Sequence, residues 1–280
     1  MKKKTVALWA VVALIMVALL IGIIFTGSDE EGADISETMQ DAVLHENDKI
    51  DFFGLNVNPG FISALIVSLS IIAFGVVVRI FVIPRFKLKP GKFQIFLESI
   101  VSFFDGIAKQ NSPHRNGFLG AYVFAAGVYI FVSTLFELIG IQWVSVAGES
   151  VTLGAPLSDI NAAIALGFLS YFVILSGGIA SNGLRGIGRT LKDFSLPISM
   201  SFRLFGALLS GLLVTELVYH YIALSFVLPV LVAVLFTLLH ALIQTYVLIM
   251  LTSLFYGEVS EPHVKKAKNK NKKTETAVSD

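Results

Sequence analysis

Arg203 is the one basic residue well inside a membrane-length apolar run, within the stretch SFRLFGALLSG at 201–211. An ionisable group at membrane depth costs about 2.5 to 3.5 kcal/mol on insertion scales, so it marks a functional site by default. Ser199 lies one helical turn before it, and Gly206, Ala207, Ser210 and Gly211 lie one and two turns after. At those offsets the small side chains form a smooth strip beside the charge, along which another helix can approach closely. An arginine this near Pro197 could instead reach back to the headgroups. The strip favours a charge that is used.

The last apolar run carries Thr237, His240 and Gln244 at successive turns of one helical face. Such groups hydrogen-bond across to a neighbouring helix or line a water-filled path. A lone histidine there is more often a satisfied interhelical bond than a proton relay. Glu216 and His220 form a further pair one turn apart, about 20 Å along the axis from Arg203 by helix rise. That puts them near the far membrane surface, as ordinary interfacial groups or as a channel mouth. Glu137, Asp159 and Asn161 complete the polar set on that side. These groups suit charge transfer and hydrogen bonding rather than bond-making.

The elements that must hold these residues follow from composition. Of 280 residues, 55% are hydrophobic and 15% charged, with a mean hydropathy of +0.79. That balance belongs to a membrane protein. The absence of cysteine excludes disulfides, thiolate metal sites and a thiol nucleophile. Six apolar runs are long enough to cross a bilayer as helices: 5–25, 60–83, 118–141, 160–179, 196–217 and 223–255. The expected fold is therefore an all-α, polytopic membrane protein whose two long C-terminal helices carry the site. Pro229 marks a first turn or a kink of the last, over-long run.

Charge sets the orientation. All of the 21 Lys and Arg except Lys49, Arg79 and Arg203 fall in the N-terminus, 84–117, 180–195 and the tail. Six spans place those four segments on one side, which the positive-inside rule makes cytoplasmic, both termini included. The acidic stretch 29–51 falls on the other side. Lys2 to Lys4 before the first run resemble a signal peptide, but the apolar core is longer than such segments use and no clear A-x-A site follows. A retained helix is favoured. The chain divides into an N-terminal membrane helix at 1–27, an acidic extracytoplasmic segment at 28–59, a membrane domain at 60–258 and a basic tail at 259–280.

Between the second and third runs, Phe93, Phe96, Leu97, Ile100, Phe103, Phe104 and Ile107 form one helical stripe. It is expected to lie along the cytoplasmic interface or to pack under the bundle. GLRGIG at 183–188 is expected to be a turn. There is no internal repeat, no H-E-x-x-H, no phosphate-cradling glycine loop and no nucleophile elbow. No metal or cofactor is expected, and no nucleic-acid partner.

PISMSFRLFGALLSG at 197–211, with HALIQTYVLIMLTSLFY at 240–256 and PLSDIN at 156–161, resembles subunit a of the F-type ATP synthase. The likeness covers roughly 118–258, with a weaker match in the second run. It implies a stator beside a rotating ring of subunit c, with the family's essential arginine at Arg203 and its final-helix glutamine at Gln244. It further implies two half-channels meeting ring carboxylates on either side of the arginine, a subunit b stalk and other synthase subunits as partners, and a bacterial cytoplasmic membrane. Ser199, Gly206, Ala207, Ser210 and Gly211 would face the rotor. The chain departs from the family pattern in four places, one of them the extra N-terminal span at 5–25. Ala207 stands where asparagine is common, and the usual outer half-channel Glu and His align with Leu212 and Thr237. The link from Arg189 to Pro197 is short and lacks the expected amphipathic stretch. Glu216, His220 and His240, with Thr237, Glu137 and Asp159, are the candidates for the half-channel lining. A secondary transporter with an intramembrane arginine is the alternative, although no repeat or broken helix pair is evident in the sequence.

Overall fold

The structure is a computed structural model that describes residues 49–52, 54–146, 150–220 and 228–262. The first apolar run, 5–25, and the basic tail beyond 262 lie outside the described residues. Helix α1 spans Pro59–Val77 and continues through a π turn at Val78–Val82 and a 3-10 turn at Ile83–Arg85. Helices α2, α3 and α4 follow at Lys92–Asn111, Gly117–Phe136 and Ile160–Asn182. Then come α5 at Leu184–Lys192, α6 at Ser195–His220 and α7 at Leu228–Ser260. Among the described residues four helices are long and apolar enough to cross a membrane. A fifth path exists if α5 and α6, bent by 50° at their junction, are taken together. The chain is thus an all-α, multi-pass membrane protein.

Local chemistry sets the helix ends. Asn58 accepts the Gly60 N–H at 3.0 Å before α1, with Pro59 in the first turn where its missing N–H does no harm. Asp159 caps α4 by accepting the Asn161 N–H at 2.8 Å. Gly183, at φ 57, ends α4 and turns the chain into α5.

Helices α3, α4, α6 and α7 form the bundle, with α1 outside it against α3 and α2 packed on α3 and α7. Lipid tails are as apolar as leucine, so helices gain little by hiding leucine from them; close backbone approach and interhelical hydrogen bonds hold the bundle instead. The contacts follow that rule. Gly127 lies under the Phe104 ring, Gly167 against Ser201 and the Pro197 carbonyl, and Gly177 against the Tyr256 ring. Tyr122 and Ser170 share a hydroxyl hydrogen bond at 2.7 Å between α3 and α4. Large side chains such as Leu69, Phe74, Phe172 and Phe202 point outward.

Both ends of the bundle are tied. At one end, strands β1 (Ile50–Phe52) and β2 (Leu55–Val57) form a hairpin, as do β3 (Gln142–Val144) and β4 (Ser150–Thr152). The Val146 N–H donates to the Lys49 carbonyl at 2.9 Å and joins the two. Ile50, Ile62, Phe136 and Leu153 pack beneath them. Strands of three residues show no usable alternation, so the sequence pattern does not reveal them. At the basic end, the Asn182 amide donates to the carbonyls of Val259 and Glu261 at 2.9 and 3.0 Å. The His114 Nε2 and Ser260 Oγ lie 2.8 Å apart, and Arg115 donates to the Ala180 carbonyl at 3.1 Å.

Two sequence-based expectations need correction. Only Gly183 of GLRGIG turns; the rest is helix α5, so an amphipathic stretch does precede the arginine helix. Its buried side is Gly186 and Thr190 against α4, where the Tyr171 hydroxyl donates to the Thr190 carbonyl at 3.1 Å. Leu184 and Leu191 face outward. Glycine on the buried face made a helix read as a turn. Helix α2 packs under the bundle through Phe104, Ile107 and Ala108, while Phe93, Phe96 and Phe103 stay exposed.

A side chain at Gly186 would collide with the Gly178 backbone, which no rotamer change relieves. Gly186→Val should therefore cost at least about 1 to 3 kcal/mol by overpacking. Gly75→Ala, with open space around it, should be neutral or stabilising by up to about 1 kcal/mol. Thermal unfolding in detergent micelles compares the two.

Candidate functional site

The site is built on α6 and α7, which pack against each other. Met200, Leu204 and Leu208 of α6 are buried, while Ser199, Phe202, Arg203, Gly206 and Ser210 lie on the exposed side. Arg203 thus projects from a face that no other described part of this chain covers. Among the described residues its guanidinium has no carboxylate and no hydrogen-bond acceptor. Ala207 and Gly211 are half-buried at the edge of that face. The small-residue strip read from the sequence is therefore split. Ser199, Gly206 and Ser210 stay open beside the charge, and Gly211 turns toward α7.

Gln244 fixes this geometry from behind. It is buried, and its Nε2 donates to the main-chain carbonyl oxygen of Arg203 at 3.1 Å. A carbonyl keeps a second lone pair after its helical bond, and the amide uses it. Gln244 sits midway between Leu228 and Ser260, about 24 Å of helix rise from either end of α7. The sequence brought Arg203 and Gln244 forward separately; the fold joins them through the backbone and leaves the guanidinium free.

The remaining polar residues divide by position. A Cβ on Gly211 would stand 3.7 Å from Nδ1 of His240, so the imidazole lies over the bare backbone there. The Phe236 ring packs 5.7 Å from it, and Thr237 is buried one turn before. Asp159 is the cap of α4 and touches Gly60 at the start of α1. Glu137 opens the single turn Glu137–Ile139 after α3. Glu216 and His220 belong to the last turns of α6, and their side chains lie outside the described set. Among the described residues no group of His, Asp and Glu is arranged to hold a metal ion. Sequence reasoning missed the hydroxyls of Thr245, Thr252 and Ser253, which are buried without hydrogen-bond partners among the described residues. Their spacing of one helical face was the available signal.

An exposed cation in a low-dielectric setting has two chemical effects. It favours the ionised form of a carboxylate brought beside it, and it opposes passage of another cation. Replacing Gln244 by Leu removes one interhelical hydrogen bond and should lower stability by about 0.6 to 1.7 kcal/mol. Gly211→Ala meets His240 only at ordinary contact distance and should stay within about 0.5 kcal/mol of the parent. Unfolding midpoints of the purified chain check both.

A family model described as ATP synthase A chain matches residues 63–257. That stretch contains all seven helices save the edges of the first and last. The ATP synthase subunit a of Shewanella sp. (strain ANA-3) is 26% identical over 208 residues, covering 62% of this chain and 77% of the relative. The arginine and glutamine helices both fall inside the matched region. The match covers well over half of the chain, which therefore belongs to the ATP synthase A chain family, the non-catalytic membrane subunit of the F-type synthase.

Proposed function

We propose that this chain is the ion-translocating stator of the membrane sector, presenting two offset half-channels to carboxylates carried on a ring of subunit c. The observation that supports this most directly is the uncovered, uncompensated Arg203 beside Ser199, Gly206 and Ser210, its backbone held by Gln244 at the middle of α7. A ring helix can lie close to that smooth face. As a protonated carboxylate arrives, the guanidinium favours release of its ion; between the half-channels, the same charge repels an ion attempting a direct crossing. The coupling ion is a proton, with sodium as the alternative. Because Leu212 and Thr237 do not titrate, His240 over Gly211 is the best-placed group for the path on the β-hairpin side. Glu216, His220, Glu137 and Asp159 are its further candidates. Ala207 and Gly211 edge the rotor face.

The partners on this reading are the subunit c ring, the subunit b stalk and the other synthase subunits, within membrane lipid. The location is the cytoplasmic membrane of a bacterium, both termini inside with the first run retained, and the membrane domain is 60–258. ATP binds elsewhere in the complex. In reconstituted vesicles, Arg203→Ala in the assembled complex should reduce ATP-driven ion pumping to background. The wild-type chain should copurify with a ring of small hairpin subunits. Pumping that survives the substitution overturns the assignment.

A further inference from the structure

Helix α5 carries three kinds of side chain on three separate sectors. Gly186 and Thr190, one turn apart, form its buried side, closed against Gly178 of α4. Leu184, Ile187 and Leu191 recur at helical spacing on a second sector. Leu184 is 86% and Leu191 54% exposed, and Ile187 is half-buried, so this sector is open. Arg185, Arg189 and Lys192, again at helical spacing, make the third. Arg185 and Lys192 are exposed and Arg189 is half-buried. Among the described residues none of the three has a carboxylate or a hydrogen-bond acceptor; Asp193, Glu258 and Glu261 stand at the same end without pairing to them.

The place of the helix in the bundle decides what meets these two open sectors. Gly186 crosses α4 at Gly178, one turn before α4 ends at Asn182. Asn182 is tied to the last residues of α7, after which the lysine-rich part of the sequence begins. At such a level a spanning bundle passes from hydrocarbon to headgroups. An amphipathic helix there lies with its apolar side in the acyl region and its cations among the headgroups. Basic side chains at the end of a membrane helix attract anionic lipid, and arginine offers a phosphate two oxygens' worth of donors in a matching fork. An acidic protein segment would satisfy the cations and leave Leu184 and Leu191 uncovered. A phospholipid covers both sectors, because its acyl chains and its phosphate belong to one molecule.

We propose that α5 is a binding site for anionic phospholipid, with Leu184, Ile187 and Leu191 against the acyl chains and Arg185, Arg189 and Lys192 around the headgroup phosphate. The site is separate from the α6 face that bears Arg203. It requires that the bundle span a bilayer and does not rest on the ion-translocating role proposed above, so pumping is not its readout.

Gly188 falls between the apolar and the basic sector and has open space around it. The chain contains no cysteine, so Gly188→Cys takes a single bimane fluorophore in the assembled complex, reconstituted in phosphatidylcholine vesicles. Brominated phosphatidylglycerol or brominated phosphatidylcholine is then titrated in as quencher. One cation near an anionic surface is worth about fivefold in binding, so half-maximal quenching should need at least about fivefold less of the anionic lipid. Arg185→Gln with Arg189→Gln and Lys192→Gln should erase the difference, whereas Arg185→Lys with Arg189→Lys should keep it. Lys192→Gln alone, the mildest change, should already narrow it and serves if the triple variant does not assemble. Equal quenching by the two lipids in the parent overturns the proposal. So does a preference that survives the loss of the cations, and so does a label that neither lipid quenches, the result expected if a partner subunit covers α5.

Discussion

Lipid offers no reward for hiding a leucine between two helices, and this fold is arranged around that constraint. Contacts that bring α4 to its neighbours are made by residues with almost no side chain: Gly167 against α6, Gly177 against α7, Gly178 against α5. With backbones this near, hydroxyls and amides finish the joints, as between Tyr122 and Ser170 or between Asn182 and the end of α7. Many bulky apolar groups, Leu69, Phe74 and Phe172 among them, face outward, while Leu119, Ile130, Leu204 and Ile249 fill the spaces between the close contacts.

The break between α5 and α6 is a second consequence of the same packing. Because α5 lies back along α4 through Gly186, α6 begins beside α4 at the level of Gly167 instead of at its end. Arg203 is thereby set near the first turns of α4, and Gln244 meets its backbone there. Holding a charged residue by its carbonyl leaves the charged end unspent. A side chain bonded to the guanidinium itself would have neutralised part of what the site has to offer.

How much of this could be seen in the sequence depended on whether lipid or a neighbouring helix recorded the pattern. Apolar run length located the described spans to within a few residues, because thickness alone fixes it. Arg203 and Gln244 stood out because a polar group in a long apolar run needs a reason. Helix α5 was hidden: its buried face is Gly186 and Thr190, and glycine is the common sign of a turn. The hairpins were hidden because three residues cannot display a period of two. The hydroxyls of Thr245, Thr252 and Ser253 share one helical face in the sequence, but only coordinates reveal which serines and threonines bond to their own helix. Small-residue spacing pointed to a single strip on α6, and only the packing of α7 told Gly211 from Gly206.

The open flank of α6 has a bearing on how the chain lives before it meets anything. On the proposed reading, a bare guanidinium turned toward hydrocarbon raises the energy of the solitary chain by about 2.5 to 3.5 kcal/mol, and a companion bearing an acid at the same depth removes that burden. On the same reading, the residue that serves turnover also makes the orphan subunit uncomfortable. Biogenesis is then biased toward joining, with excess copies the least firmly seated in the bilayer.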